Sequence, residues 1–414
     1  MNSINSPVFA FGFGAKRPVA LASTLLITAA AIGCIATSGL WQRPKSCTRH
    51  YDPSPSKTVD SQQLIRGLPY PPDALPGSRD VDTPYGSIRV YEWGPADGER
   101  VLFVHGISTP CIALGDLGHE LVGRGYRVIL FDLFGRGYSD GPNDLTYDTR
   151  LYVTQLLLVL ASSGIPSTAA PGVHLVGYSL GGGLSVAFTR YFPHLVRSLC
   201  LVAPGGLIRP HHVGWLSWLY YTSGLLPEIL VKYLVKRRIR PKAKPVHAAS
   251  PSDLVAAEVE RTVNRDGDAS GGARFDGAAI SKTRPHVTVS SLVVWQVDNH
   301  AGFVRAFLST IRNAPIYAPQ EDWQVLSKIL EARRPESGPR TGGVRVPAGL
   351  ETGKILVVLG KDDSVVIMSE TVEDAYAVLG RDGVEFAILD GGHEIPFTSS
   401  PIVAKTMEAF WKSR

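Results

Sequence analysis

Short apolar runs and amphipathic stretches alternate along the middle of the chain. The apolar runs predict strands at residues 87–93, 101–104, 127–132, 173–177 and 196–202. Between them, apolar residues at helical spacing predict helices at 114–125, 147–161 and 180–191. Alternation of this kind is typical of a mostly parallel sheet covered by helices on both faces, so the chain is predicted to have an α/β fold.

The alternation stops near residue 204 and resumes near residue 350. The later part predicts strands at 354–359 and 384–389 and helices at 368–379 and 401–411. Between the two parts lie an aromatic-rich stretch, a polar region, a helical pattern at 303–311 and an Arg-, Pro- and Gly-rich loop at 333–347. We expect residues 206–348 to form a mainly helical cap, inserted between strands six and seven of a core made of 77–205 and 349–414.

The N-terminal part contains a long uncharged segment. Residues 18–41 are 24 residues without a charge, and as a helix they would extend about 36 Å, enough to span a bilayer. This length favours an uncleaved membrane anchor within residues 1–45, with 46–76 as a Pro- and Ser-containing linker. Small residues at 36–38 keep open a cleaved signal peptide and secretion. Basic residues flank both ends, so the orientation is not predicted.

Composition and charge exclude several classes of protein. With 44% hydrophobic and 19% charged residues, the chain is not a disordered protein. The net charge of +5 is spread along the chain, so a nucleic-acid partner is not expected. The four cysteines have no paired spacing, which indicates neither a zinc site nor a disulfide framework. No metal or other cofactor is predicted, and the oligomeric state is left open.

A G-x-S-x-G pentapeptide at residues 177–181 is the strongest local signal for chemistry. It directly follows one predicted strand and opens one predicted helix, the setting in which a serine is held exposed on a sharp turn. The adjacent helix N-terminus would stabilise a negative charge there. We therefore predict that Ser179 is a nucleophile.

A serine nucleophile needs a base and a carboxylate. His393 follows the last predicted strand and two glycines, and we predict that it is the base. Asp362 and Asp363 follow the preceding strand, where a carboxylate could orient the imidazole. Asp363 is the preferred residue, and Asp362 is the alternative.

An acyl-transfer site also needs two N–H donors for the oxyanion. The residue after the nucleophile supplies one, which predicts the backbone N–H of Leu180. The loop after the strand at 101–104 is expected to supply the other, from Ile107. We expect His105 in that loop to be a structural hydrogen-bonding residue.

These motifs resemble the α/β-hydrolase superfamily with an inserted cap domain. The order of Ser179, Asp363 and His393 is that of the family's triad, and residues 132–139 resemble its D-x-x-G-x-G-x-S loop. The D-x-x-V stretch at 363–366 also matches, although Ile367 stands where relatives often have Pro. The resemblance covers about residues 85–414 and implies an α/β-hydrolase fold.

The predicted cap carries the only clue to the substrate. Trp215, Trp218 and Tyr221 belong to an apolar stretch that would suit a lipid-like ester, although such residues could equally pack the cap onto the core. A basic run at 232–244 would suit an anionic lipid surface or a solvated helix face.

The sequence therefore predicts a membrane-anchored serine hydrolase that cleaves small-molecule or lipid-like carboxylic esters through an acyl-enzyme intermediate. Carbon–carbon bond hydrolysis or acyl transfer by the same triad is the alternative. A non-catalytic interaction protein of the same fold is the alternative from another class. Ser179 argues against epoxide and dehalogenase chemistry, because relatives with those activities place Asp at this position.

Overall fold

The computed structural model describes residues 50–58, 68–164, 172–209, 233, 272–317, 320–334 and 349–413. The predicted anchor at 18–41 and the predicted cap residues Trp215, Trp218 and Tyr221 lie outside these ranges. The basic run at 232–244 also lies outside them, apart from Tyr233. Among the described residues, no helix has both the length and the apolar character needed to cross a bilayer.

Ten strands lie within the described residues. They are β1 Tyr51–Asp52, β2 Ser78–Thr83, β3 Gly86–Trp93, β4 Arg100–Val104, β5 Arg127–Phe131, β6 Gly141–Pro142, β7 Val173–Tyr178, β8 Val196–Val202, β9 Ile355–Gly360 and β10 Val384–Leu389.

The helices of the described residues connect these strands, lie between β8 and β9, or follow β10. They are α1 Pro55–Thr58, α2 Gly115–Val122, α3 Thr149–Ser162, α4 Leu180–Tyr191, α5 Gly272–Gly277, α6 Val289–Asn299, α7 Phe303–Asn313, α8 Gln320–Glu331, α9 Met368–Leu379, α10 Ile395–Thr398 and α11 Ser400–Lys412.

The central sheet has eight strands in the order β10-β9-β8-β7-β4-β5-β3-β2. The six strands from β10 to β5 in this order are parallel, and β3 is antiparallel to both of its neighbours. Every residue of β4, β7 and β9 is buried, which requires cover on both faces of the sheet. The predicted fold class, a mainly parallel sheet with helices, is confirmed.

Parallel register brings the ends of β4, β7, β8 and β9 to one edge of the sheet. Val104 is level with Gly177 of β7, and Tyr178 is level with Val202 of β8. Because the loops after these strands emerge together, residues far apart in the chain can form one site.

The segment between β8 and β9 interrupts the core after its sixth sheet strand. Its described residues include four helices, α5 to α8. Asp116 of α2 receives hydrogen bonds from Ser281 Oγ at 3.0 Å and from the backbone N–H of Lys282 at 2.7 Å. The extent of a cap at 206–348 stays a prediction, because most of residues 210–271 lie outside the description.

Two parts of the chain differ from the expected pattern. Strand β2 was not predicted, because its polar sequence SRDVDT forms the edge of the sheet and alternates only between partly buried and exposed positions. Residues within the predicted linker also contact the core. Asp140 is buried and accepts hydrogen bonds from Ser54 N at 2.8 Å and Lys57 Nζ at 2.7 Å.

Candidate active site

Ser179 lies at the turn between β7 and α4, with φ 53° and ψ −122°. A non-glycine residue at positive φ is strained, so the surrounding packing must hold it. A Cβ on Gly181 would lie 2.0 Å from the carbonyl oxygen of Val104, and one on Gly177 would lie 2.4 Å from the Gly181 oxygen. Gly181 therefore allows the turn to pack against β4, and Gly177 allows α4 to start close to β7. The strained serine projects from this turn.

His393 contacts both Ser179 and Asp363. Its Nε2 lies 2.9 Å from Ser179 Oγ, and its Nδ1 lies 2.8 Å from Asp363 Oδ2. An ionised carboxylate can only accept hydrogen bonds, so Nδ1 carries the proton and the Nε2 lone pair faces the serine. This tautomer can accept the proton of the serine hydroxyl.

The two neighbouring aspartates have different surroundings. Asp363 is 6% exposed, and its Oδ1 accepts hydrogen bonds from the backbone N–H groups of Val365 and Val366 at 2.8 and 2.9 Å. The Asp362 side chain is 63% exposed and lies 3.7 Å from Arg274 Nη1. Asp363 is therefore the carboxylate held against the imidazole.

Residues around His393 restrict its movement and its contact with water. The Tyr178 hydroxyl donates a hydrogen bond of 2.9 Å to the His393 carbonyl oxygen, and burial raises the pKa of this tyrosine well above its usual value. The ring of Phe275, from α5 of the insertion, packs edge-on to the imidazole at 5.3 Å. His393 is left 4% exposed.

An ion pair joins α5 to the loop that carries His393. Arg274 Nε lies 2.7 Å from Oε1 of Glu394, which also accepts a hydrogen bond from Gly392 N at 3.0 Å. Glu394 is almost completely buried, whereas the Arg274 side chain is mostly exposed. The insertion therefore contacts the histidine loop through both an ion pair and the ring of Phe275.

The loop after β4 passes beside Ser179. A Cβ on Gly106 would lie 3.3 Å from the serine Cβ. His105 Nε2 accepts a hydrogen bond from Leu133 N at 2.8 Å, so its Nδ1 is protonated and donates to Gly106 O at 2.7 Å. Burial lowers the pKa of His105 to about 3, and it stays neutral.

These contacts orient the peptide between Gly106 and Ile107. In a trans peptide the C=O and N–H groups point in opposite directions. Because His105 holds the Gly106 oxygen, the Ile107 N–H points away from His105. Leu180 begins α4, so its N–H is among the four at a helix start that lack an acceptor within the helix.

The loop at 132–139 contacts the segment after β4 through buried side chains. Buried Asp132 accepts hydrogen bonds from Cys111 N and Tyr138 N, both at 2.9 Å. Gly137 has φ 52°, and a Cβ there would lie 2.2 Å from Asp132 Oδ2. The fully buried Arg136 donates from Nε to the Ile107 carbonyl oxygen at 3.1 Å.

Several residues at the site were not identified from the sequence. Phe275, Arg136 and Gln296 each contact a loop of the site, and Gln296 is a fully buried polar residue in α6. One available signal was the position of Gln296 within an otherwise apolar run at 292–297, because a polar side chain there must find hydrogen-bond partners. Among the described residues, no three His, Cys, Asp or Glu side chains are grouped to hold a metal.

Comparison with known families and proteins gives consistent similarities. A family model described as alpha/beta hydrolase fold matches residues 99–400. The chain is similar to lipase 1 of Psychrobacter immobilis, with 34% identity over 29% of this chain and 37% of that protein. It is also similar to 2-hydroxy-6-oxo-2,4-heptadienoate hydrolase of Pseudomonas putida, with 33% identity over 27% of this chain and 39% of the relative. The chain thus spans less than two fifths of the length of these relatives.

Solved structures resemble the chain in fold. A bacterial membrane phospholipase A superposes with a TM-score of 0.52 at 16% identity, covering 95% of this chain and 97% of that one. An alpha/beta hydrolase enzyme from a deep-sea metagenome superposes with a TM-score of 0.50 at 12% identity, covering 81% and 98%. At these identities the similarity concerns the fold alone.

Proposed function

The chain belongs to the α/β-hydrolase fold family, and on that premise we propose that it is a serine hydrolase that cleaves carboxylic esters. The observation that carries the proposal is the continuous line of hydrogen bonds from Asp363 through His393 to Ser179, at 2.8 and 2.9 Å. The similarity to a lipase over part of the chain supports ester chemistry.

In the proposed reaction, Ser179 Oγ attacks the ester carbonyl carbon while its proton passes to His393 Nε2. Asp363 stabilises the imidazolium that forms and keeps its Nδ1 proton in place. The Leu180 and Ile107 N–H groups donate to the oxyanion of the tetrahedral intermediate. The intermediate collapses, the ester C–O bond breaks, and the alcohol leaves with the proton from His393.

The second half of the reaction removes the acyl group. His393 takes a proton from a water molecule, and the resulting hydroxide attacks the acyl-serine carbonyl. A second tetrahedral intermediate collapses to release the carboxylic acid, and the proton returns to Ser179 Oγ. No metal or other cofactor enters these steps.

A second candidate reaction is hydrolysis of a carbon–carbon bond in an activated diketone. The similarity to 2-hydroxy-6-oxo-2,4-heptadienoate hydrolase favours it, and the same three side chains would serve. The two reactions are separated by their substrates. A carbon–carbon hydrolase would consume the dienoate faster than any simple ester, whereas an esterase would leave the dienoate unchanged.

The proposed substrate class is a small or lipid-like ester. The aromatic residues Trp215, Trp218 and Tyr221 of the sequence support an apolar binding surface, and this assignment stays a proposal. We also propose that residues 18–41 hold the chain in a membrane. Resistance of the full chain to alkaline carbonate extraction, lost on deletion of residues 18–41, would support an anchor, and release of the intact full chain would contradict it.

The deciding experiment is hydrolysis of p-nitrophenyl esters of increasing acyl length by the full chain in detergent micelles. Ser179→Ala is the paired variant. Turnover that disappears in this variant, together with serine labelling by a fluorophosphonate, is the expected result. Turnover that survives Ser179→Ala, or a folded wild-type protein that hydrolyses no ester, would contradict the proposal.

A further inference from the structure

Gln296 of α6 joins the loop beside Ser179 to the loop at 132–139. Its Nε2 donates a hydrogen bond of 2.9 Å to the Ser108 carbonyl oxygen, and its Oε1 accepts one of 3.0 Å from the Gly137 N–H. The side chain is 0% exposed. A carbonyl oxygen can only accept and a backbone N–H can only donate, so the two partners fix the orientation of the amide group.

With Gln296 included, three successive carbonyl oxygens beside the serine are held. Gly106 O binds His105 Nδ1 at 2.7 Å, Ile107 O binds Arg136 Nε at 3.1 Å, and Ser108 O binds Gln296 Nε2. Each bond restrains the rotation of one peptide unit. Residues 106–108 therefore have little freedom to turn, and Gln296 supplies the restraint that comes from the insertion.

The end of α6 holds the second loop at two points. One is the bond from Gly137 N to Gln296. At the other, Nε2 of His300 lies 2.8 Å from the backbone carbonyl oxygen of Ser139. Burial lowers the pKa of His300 to about 4, so this histidine stays neutral in the contact. The same helix end thus restrains the loop that carries Arg136, which in turn binds Ile107.

We propose that Gln296 is a positioning residue that helps to keep the Ile107 N–H in the direction given by His105, so that the inserted helix stabilises the oxyanion site. This inference rests on the proposed function. Loss of the Gln296 side chain would free the peptide unit after Ser108 and release Gly137 in the loop whose Arg136 holds the Ile107 oxygen. With both restraints weakened, the Ile107 N–H could turn away from the developing oxyanion. Since donors aimed before the reaction act on the transition state, the effect is expected on kcat more than on KM.

Two variants separate the parts of the contact. Gln296→Leu removes both hydrogen bonds, whereas Gln296→Glu keeps the acceptor for Gly137 N–H and places a carboxylate oxygen against the Ser108 oxygen. Ser281→Ala is the matched control, because it removes a buried hydrogen bond to Asp116 that also ties the insertion to the core. That bond does not involve the loop at 106–108.

Three measurements on the full chain test the inference. We expect Gln296→Leu to lower kcat about 10- to 100-fold with KM little changed, somewhat less than complete removal of an oxyanion donor. The Ki of a trifluoromethyl ketone, which forms a tetrahedral adduct with serine, should rise by the same factor. The Ki of the corresponding alcohol, which forms no adduct, should stay the same. Ser281→Ala should change none of these values.

The pH dependence gives a signature that lost packing would not produce. For Gln296→Glu, the ratio of kcat/KM to wild type should rise as the pH is lowered from about 8 to about 6, because burial raises the pKa of a carboxyl and its protonated form can donate to Ser108 O. Hydrogen exchange of the peptide containing 106–109 should be faster in Gln296→Leu than in Ser281→Ala.

The outcomes distinguish this inference from the proposed function. A wild-type protein without Ser179-dependent hydrolysis would overturn the proposed function, and the inference with it. An active wild-type protein whose kcat and adduct Ki are the same in Gln296→Leu and Ser281→Ala would overturn the inference alone. If Gln296→Leu does not fold, the pH-dependent ratio of Gln296→Glu decides, and a flat ratio would overturn it.

Discussion

Nδ1 of His393 lies 2.8 Å from Oδ2 of Asp363, while the carboxylate of the preceding residue is exposed and pairs with an arginine. Two adjacent identical side chains in the loop after β9 therefore have different surroundings. The buried one accepts two backbone N–H bonds in addition to the imidazole, which fixes its rotamer. This difference leads to a direct test.

Asp363→Asn is expected to lower kcat by about 10³- to 10⁴-fold, because an amide at this place favours the wrong imidazole tautomer. Asp362→Asn is the matched control and should keep ester hydrolysis within about twofold of wild type, since an exposed ion pair contributes little. Initial rates with a p-nitrophenyl ester measure both. Equal losses in the two variants would contradict the assignment.

Gly181→Ala is expected to destabilise the protein by about 3 kcal/mol, the upper end of the usual range for overpacking, because the added methyl group would overlap the backbone of β4. The Cβ would lie 2.0 Å from the Val104 oxygen. Gly164→Ala is the control, because a Cβ there meets no atom of the described residues within 4 Å. It should change stability by less than about 1 kcal/mol. Urea unfolding curves compare the two, and similar midpoints would refute the packing argument.

Acid should destabilise the fold through its buried histidines. The pKa of His300 falls from 6.5 to about 4 on folding, so between these values the unfolded state binds a proton that the folded state does not. The stability that the fold gains by keeping His300 neutral is fully present above pH 6.5. It is lost as the pH falls towards the folded pKa, at up to about 1.4 kcal/mol per pH unit for each such histidine. His105 acts in the same direction, with a folded pKa of about 3.

The measurement is the free energy of unfolding from urea titrations between about pH 7 and about pH 4.5. In His300→Gln, whose amide can still donate to Ser139 O, the decline with acid should be shallower than in wild type. His194→Gln changes an exposed histidine and should leave the decline unaltered. An identical slope in wild type and His300→Gln would show that His300 does not account for acid sensitivity.

Arg136→Lys is expected to reduce both stability and kcat although it keeps the charge. The guanidinium donates to Ile107 O, Phe134 O, the Tyr152 hydroxyl and Thr310 Oγ1, all at 3.0 to 3.2 Å. An ammonium cannot reach this set, and each buried acceptor left unpaired costs about 1–3 kcal/mol. Arg150→Lys on the surface should be neutral by thermal unfolding and rate measurements. A stable, fully active Arg136→Lys would disprove the role.

Much of the core could be predicted because its strands are buried on both faces and read as continuous apolar runs. The runs at 173–177 and 196–202 match β7 and β8 to within one residue. Strand β2 offers no such run, because an edge strand buries little and only tertiary pairing with β3 selects its conformation. The start of α6 is marked by a capping box formed by Thr288 and Ser291. This is a polar signal, so a search for regularly spaced apolar residues does not detect it.

Site residues that belong to a short sequence pattern could be predicted, whereas those that depend on contacts between distant segments could not. Ser179 lies in a pattern of five residues, and His393 follows a strand and two glycines. The choice between Asp362 and Asp363 depends on which way each side chain points, which spacing alone does not determine. Gln296 acts through Ser108, 188 residues earlier in the chain, and such a pairing exists only after the fold brings the two loops together.

Ser179 is synthesised well before His393, with which it forms a hydrogen bond. The two residues lie 214 positions apart, so at usual rates the ribosome needs about 10 to 40 s to reach His393 after Ser179. Within this interval, from the completion of β8 until β9 is made, β8 lacks this neighbour, and its exposed edge could pair with other chains. A nascent chain that ends before His393 therefore carries Ser179 without its proposed base, so under the proposed function hydrolysis would begin only after His393 has been made and β9 has joined the sheet.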